Sequence, residues 1–139
     1  MKAHILESFI QRVWNEGDAE SATDFIAPAY TIHHDPGDPW EGMTLDAEGF
    51  KDRVRTSRAP VPDQRFALRD VLEDEDRVVI TWLWKGTHLG DIAGFPPSGR
   101  ELSMSGATVY YFDGGRISGH WQIADRLSIC RQLQQTSTR

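Results

Sequence analysis

The sequence predicts an α+β fold from three observations. Apolar residues at helical spacing open the chain, runs of strand character fill its second half, and a tight hairpin signal joins the last two runs. Helices first and antiparallel or mixed strands afterwards describe a curved sheet wrapped around three N-terminal helices.

The first helix rests on Leu6, Phe9, Ile10 and Val13, which fall at i, i+3, i+4 and i+7 and make one apolar stripe of roughly four turns. Gly17 is placed to end it. Asp18 is a good N-cap for a second, short helix whose Ala19, Ala22 and Ile26 share a face, and Pro28 stops it. Tyr30 to Asp35 read as a short strand, and the prolines and glycines between Pro36 and Gly42 impose a loop, a candidate lid. Phe50, Arg53, Val54 and Ser57 mark a third helix starting near Thr44 or Asp46 and closed by Pro60 and Pro62.

Strand character follows from Arg65 to Leu72, Arg77 to His88, Glu101 to Phe112 and Arg116 to about Ala124. Asp113-Gly114-Gly115 between the last two supplies positive φ angles for a tight antiparallel turn. Asp70 shares the parity of Phe66, Leu68 and Leu72, which places a carboxylate on an apolar face unless the strand bends there.

A chain of 139 residues is long enough for one unstapled core, so residues 1–139 are read as one domain. The formal charge of −6 opposes attraction to nucleic acid or anionic membranes, and neither partner is expected. Cys130 is the one cysteine, which precludes an internal disulfide and a thiolate metal cluster and fits a reducing, cytoplasmic setting. The N-terminus lacks a secretory pattern, and no apolar run approaches the ~18 residues of a membrane span. No phosphate loop or nucleophile elbow is present, which disfavours nucleotide and acyl-enzyme chemistry.

Three stretches carry a family resemblance: Trp14 to Asp18, Gly86-Thr87-His88-Leu89-Gly90 through Gly94 to Arg100, and Asp113 to Ile117 through His120-Trp121 to Asp125, with Arg131-Gln132-Leu133 near the C-terminus. Together they resemble the SnoaL-like polyketide cyclases of the nuclear transport factor 2-like superfamily. The resemblance implies a cone-shaped barrel with a deep apolar pocket, often a homodimer through the outer sheet face. It also implies aldol cyclisation without metal or cofactor, in which a last-strand aspartate shuttles a proton. That aspartate falls on Gln122 here, a residue that hydrogen-bonds but takes no proton at neutral pH.

On the last strand, alternation groups Ser118, His120, Gln122 and Ala124 on one face, so a pocket-facing Gln122 brings His120 with it. His120 reads as a general acid or base, or as a satisfied polar residue between layers. Asp125 reads as the missing carboxylate, or as the N-cap of a final helix starting at Arg126. His33, His34 and Asp35 lack the spacing of a metal site, because neighbours on a strand point to opposite faces. One of the two histidines is expected in the pocket, because the family places a polar residue soon after the tyrosine matched by Tyr30. His33 is thus a further catalytic candidate and His34 a substrate-binding one. His88 touches ligand or braces the Gly94 to Gly99 loop, and Trp14, Trp82, Trp84 and Tyr110 are aromatic walls or core.

These features favour a cofactor-free acid/base enzyme, a lyase or isomerase on a hydrophobic oxygenated small molecule. A cofactor-independent hydrolase or oxygenase and a non-catalytic binding protein are the alternatives.

Overall fold

In a computed structural model, which describes residues 1–135, apolar spacing becomes helix and alternation becomes sheet in the expected order. Helix α1 (Lys2–Phe9) runs on into a π-helical turn, Ile10–Asn15, in which the Glu16 amide reaches back five residues to the Gln11 carbonyl at 2.9 Å. Gly17 ends it at φ +75°, and a Cβ there would also meet Arg58 Nε at 2.7 Å, so two constraints select glycine. Asp18 caps a short 3₁₀ helix, Ala19–Asp24, by accepting the Ser21 amide.

Strand β1 (Ile26–His34) starts earlier than Pro28 suggests, so Ile26 belongs to sheet and not to the preceding helix. Strand β2 (Thr44–Leu45) is a two-residue edge, and helix α2 (Ala47–Arg58) begins after Asp46, which accepts the Gly49 amide at 2.8 Å. Strands β3 (Arg65–Asp74), β4 (Arg77–Thr87), β5 (Glu101–Asp113) and β6 (Arg116–Ala124) complete the sheet, and helix α3 (Arg126–Gln135) follows.

The six strands lie in the order β2-β1-β6-β5-β4-β3. All neighbours are antiparallel except β1 and β6, so the sheet is mixed, and it remains open at its β2 and β3 edges. Gly114 and Gly115 form the two-residue turn between the paired Asp113 and Arg116, with Gly114 at φ +63°. The concave side packs on the helices: Leu6, Phe9 and Val13 from α1 and its extension and Phe50 and Val54 from α2 meet Ile32, Ile80 and Trp82 in one core.

Besides an irregular stretch of β1 between Ile26 and Thr31, three single unmatched residues interrupt the alternation on which face assignment depends. In β3, Leu68 pairs with Trp82 and Asp70 with Thr81, leaving Arg69 unmatched. This turns Asp70 outward, where its carboxylate accepts the Thr81 hydroxyl at 2.6 Å, and it exposes Leu72. In β6 Ser118 is unmatched, so Ile117 lies buried on the same side as His120 rather than opposite it. In β1 His33 is unmatched, because Ile32 pairs with His120 and His34 with Trp121.

Among the described residues, no helix is long and apolar enough to cross a membrane.

Candidate active site

The unmatched His33 has the largest consequence for the site. Strict alternation would point His34 inward with Ile32 and turn Asp35 out, whereas the extra residue does the reverse. His33 lies exposed against the Tyr111 ring, and His34 stacks on Trp121 with ring centroids 4.6 Å apart. Neither reaches the cavity, which corrects the expectation that one of them would. Asp35 instead enters the interior and has no exposed surface.

Asp35 is the hub of the site. One carboxylate oxygen accepts His120 Nε2–H at 2.9 Å, and the other accepts Arg126 Nη1 at 2.8 Å. The Gln122 amide donates to both oxygens, at 3.2 and 3.1 Å, and Arg53 Nη2 lies 3.4 Å away. Burial alone would raise the Asp35 pKa, but the His120 hydrogen bond and the Arg126 charge outweigh it and bring the group below its ordinary 3.8. Asp35 is therefore an ionised carboxylate at neutral pH.

His120 is buried and bonded at both ring nitrogens, since Nδ1 lies 2.6 Å from the Tyr30 hydroxyl. With Asp35 ionised, one proton arrangement satisfies the line: Nε2–H donates to Asp35, and Nδ1 accepts the Tyr30 O–H. Burial pulls the His120 pKa below 6.5 against the pull of Asp35, so the imidazole is neutral at rest. Burial, with Tyr110 beside it, pushes the Tyr30 phenol well above 10.0. Phe50 holds the Tyr30 ring edge-on, with centroids 4.7 Å apart.

Gln122 is oriented from behind. Trp82 Nε1 donates to the Thr108 hydroxyl at 2.9 Å, and that hydroxyl donates to the Gln122 carbonyl at 2.6 Å, so the Gln122 NH₂ faces Asp35. Gly106 makes room for this arrangement, because a Cβ there would lie 2.3 Å from the Trp82 ring.

These groups border a cavity of about 140 Å³ between sheet and helices. Tyr30, His120, Gln122, Arg53, Asp38 and Arg126 supply its polar wall, and Trp14, Phe66, Trp82, Trp84 and Tyr110 its aromatic one. Trp84 is fixed by its Nε1–H on the Gln64 carbonyl at 3.2 Å. Outside it, an apolar vestibule of about 470 Å³ lies between Trp40, Pro60, Ile92 and the α3 residues Ile129 and Leu133. The two spaces share Asp38, Ser57, Trp84, Met104 and Arg126.

Two candidates lie elsewhere. Asp125 is exposed and caps α3, accepting the Ser128 amide at 3.1 Å. His88 is fully buried but borders no part of this cavity. Its Nδ1 meets the Ser98 hydroxyl at 3.0 Å, and its backbone pairs with Gly99 and Arg100, so it braces the loop before β5. Sequence reasoning does not single out Asp35, Arg126, Tyr30 or Arg53 as site residues, because Asp35 enters it only as a metal-ligand candidate, Arg126 as the start of a helix, and Tyr30 and Arg53 as strand and helix positions. The signal available for Asp35 was its place five residues after Tyr30.

Among the described residues, no group of three or more His, Cys, Asp or Glu side chains is arranged to hold a metal ion.

An open mixed sheet curled over N-terminal helices around an aromatic cavity defines a nuclear transport factor 2-like cone protein. The chain belongs to the family described as SnoaL-like polyketide cyclase, whose sequence profile matches residues 4–133. A solved structure from Acidithiobacillus ferrooxidans, described as a "putative polyketide cyclase", shares 55% identity over 98% of this chain and 96% of that one, with a TM-score of 0.93. IdmH from Streptomyces antibioticus, described in the same words, shares 28% identity over 96% of this chain and 99% of its own, with a TM-score of 0.82. TsrD from Streptomyces laurentii shares 28% identity over 94% and 92%, with a TM-score of 0.77. No curated protein sequence matches the chain.

Proposed function

We propose that this protein is a cofactor-free general acid/base enzyme that carries out aldol cyclisation, or a related isomerisation, on a hydrophobic oxygen-bearing small molecule. The observation that carries the reading is the hydrogen-bonded line Tyr30–His120–Asp35 at the wall of an aromatic cavity. Family membership and the neighbours described as polyketide cyclases support it.

A proton leaves a substrate carbon next to a carbonyl and passes to the Tyr30 oxygen as Tyr30 gives its own proton to His120 Nδ1. The result is an enolate, a neutral Tyr30 and an imidazolium, whose charge the ionised Asp35 stabilises at 2.9 Å. The enolate carbon bonds to a second carbonyl carbon, and the new alkoxide takes the proton back along the same line. Nothing is oxidised or reduced. Gln122, at the position of the family's aspartate, does not move the proton but holds Asp35, which supplies the carboxylate from the first strand instead of the last.

The test is a native-mass and thermal-shift screen against polyketide-like aromatic compounds, with product formation followed by chromatography. His120→Ala is expected to lower turnover by about 10²- to 10⁴-fold. Unchanged turnover in that variant contradicts the role.

A second reading, ligand binding without turnover, is favoured by the four donors around Asp35, which suit a structural counter-ion as well as a catalytic one. A ligand that stabilises the protein and is recovered unchanged supports that reading.

We propose homodimerisation through the convex sheet face, where Leu83, Trp121 and Ile123 are each more than 40% exposed. Sedimentation velocity measures it, and a monomer at micromolar concentration contradicts it.

A further inference from the structure

Arg53 is only 6% exposed, yet its Nε–H finds no acceptor among the described residues. Its other contacts fix it firmly. Nη2 donates to Asp38 at 2.8 Å, and the guanidinium carbon lies 5.4 Å from the Trp14 ring centroid and 5.9 Å from that of Trp40. Leaving a buried, charged donor unmatched is costly, and a guanidinium held between two indoles has little freedom to turn it toward water. Arg53 borders the same cavity as Tyr30 and His120.

We infer that the Arg53 guanidinium, at the cavity wall beside Tyr30 and His120, is the donor that receives the ligand's carbonyl oxygen and holds it as that oxygen gains enolate charge. The assignment rests on the acid/base reading of the site and adds to it the group that stabilises the charge left when the proton departs. It also defines the ligand's form. A cavity of about 140 Å³ takes a head of single-ring size, and the adjoining vestibule of about 470 Å³, bordered by Trp40, Pro60, Ile92 and Leu133, takes an apolar extension. The substrate class is an elongated molecule with a ring-sized, carbonyl-bearing head and an apolar body.

Phenols mimic an enolate oxygen on a ring-sized head, so binding is measured by calorimetry for phenol, 4-chlorophenol and 4-cyanophenol, with toluene as the oxygen-free control. In the unmodified protein at one fixed pH, the phenolate is the species that Arg53 holds, so affinity is expected to rise with phenol acidity as the ionised fraction rises, and Arg53→Lys is expected to flatten the trend and weaken 4-cyanophenol binding about ten-fold while toluene is unaffected. A flat trend in the unmodified protein, or an unchanged trend in Arg53→Lys, overturns the assignment. If Arg53→Lys does not fold, the Arg53 Nε–H proton resonance of the unmodified protein serves. It is expected to move downfield with 4-cyanophenol and not with 4-cyanotoluene, and no movement overturns the assignment. His120→Ala separates the two claims: the acidity trend survives it if Arg53 is the oxygen donor, whereas turnover does not survive it if His120 handles the proton. A flat trend with intact turnover removes the Arg53 assignment alone, and a normal trend without turnover in the unmodified protein removes the acid/base reading alone.

Discussion

Asp35 and Asp125 show how environment separates two carboxylates with the same chemistry. Asp125 is exposed and holds one amide, so Asp125→Ala is expected to cost about 1 kcal/mol in urea unfolding, as loss of an N-cap does, and to leave turnover unchanged. Asp35 is buried among His120, Gln122, Arg126 and Arg53, and Asp35→Ala would leave the buried His120 and Gln122 donors unmatched and the two arginines with Asp38 alone as counter-charge. Its expected cost is about 3–5 kcal/mol by the same measurement, and a cost as small as that of the Asp125 variant would mean that solvent reaches the site. Residue chemistry alone did not separate the two. Both are strand-end aspartates in the sequence, and what distinguishes them is which side of the sheet each faces.

At the scale of elements, the legible parts are those set by local rules. Capping by Asp18 and Asp125, the Gly114-Gly115 turn and the span of β6 follow from spacing and turn chemistry, and the structure has them. The extra residues at His33, Arg69 and Ser118 follow from no local signal, because each is set by the register of a partner strand. Each reverses face assignment beyond it, which is why Asp70 turned out to be exposed and the two histidines to lie outside the cavity. Close strand packing also underlies the Gly106 position, where Trp82 fills the space of a missing side chain. Gly106→Ala is expected to displace the Trp82 ring, destabilise the protein by about 1–3 kcal/mol and weaken ligand binding, as followed by thermal unfolding and calorimetry. A variant with unchanged stability and binding would show that the wall yields freely.

Over the whole molecule, the buried site couples folding to pH. His120 has a folded pKa below its ordinary 6.5 and Asp35 one below its ordinary 3.8, so for both groups the unfolded chain binds more protons in the interval between the two values. Stability from these groups is therefore fully present above about pH 6.5, falls as pH drops through the folded pKa of His120, and falls again below 3.8 as Asp35 protonates. Thermal unfolding from pH 8 to pH 3 checks this, and His120→Phe is expected to remove the first decline while leaving the second. A midpoint that is constant from pH 8 to pH 4 contradicts the buried, neutral imidazole.

The central claim, that the Tyr30–His120–Asp35 line takes a proton from carbon, is tested most directly by deuterium exchange. Acetophenone, a ring-sized ketone, is incubated with the protein in D₂O, and uptake of deuterium at its methyl carbon is followed by mass spectrometry. The account predicts uptake faster than in buffer alone, reduced about 10²-fold or more in His120→Ala and reduced also in Asp35→Asn. Acetophenone that binds but exchanges no faster than in buffer would contradict the claim and leave a protein that holds its ligand without reacting it.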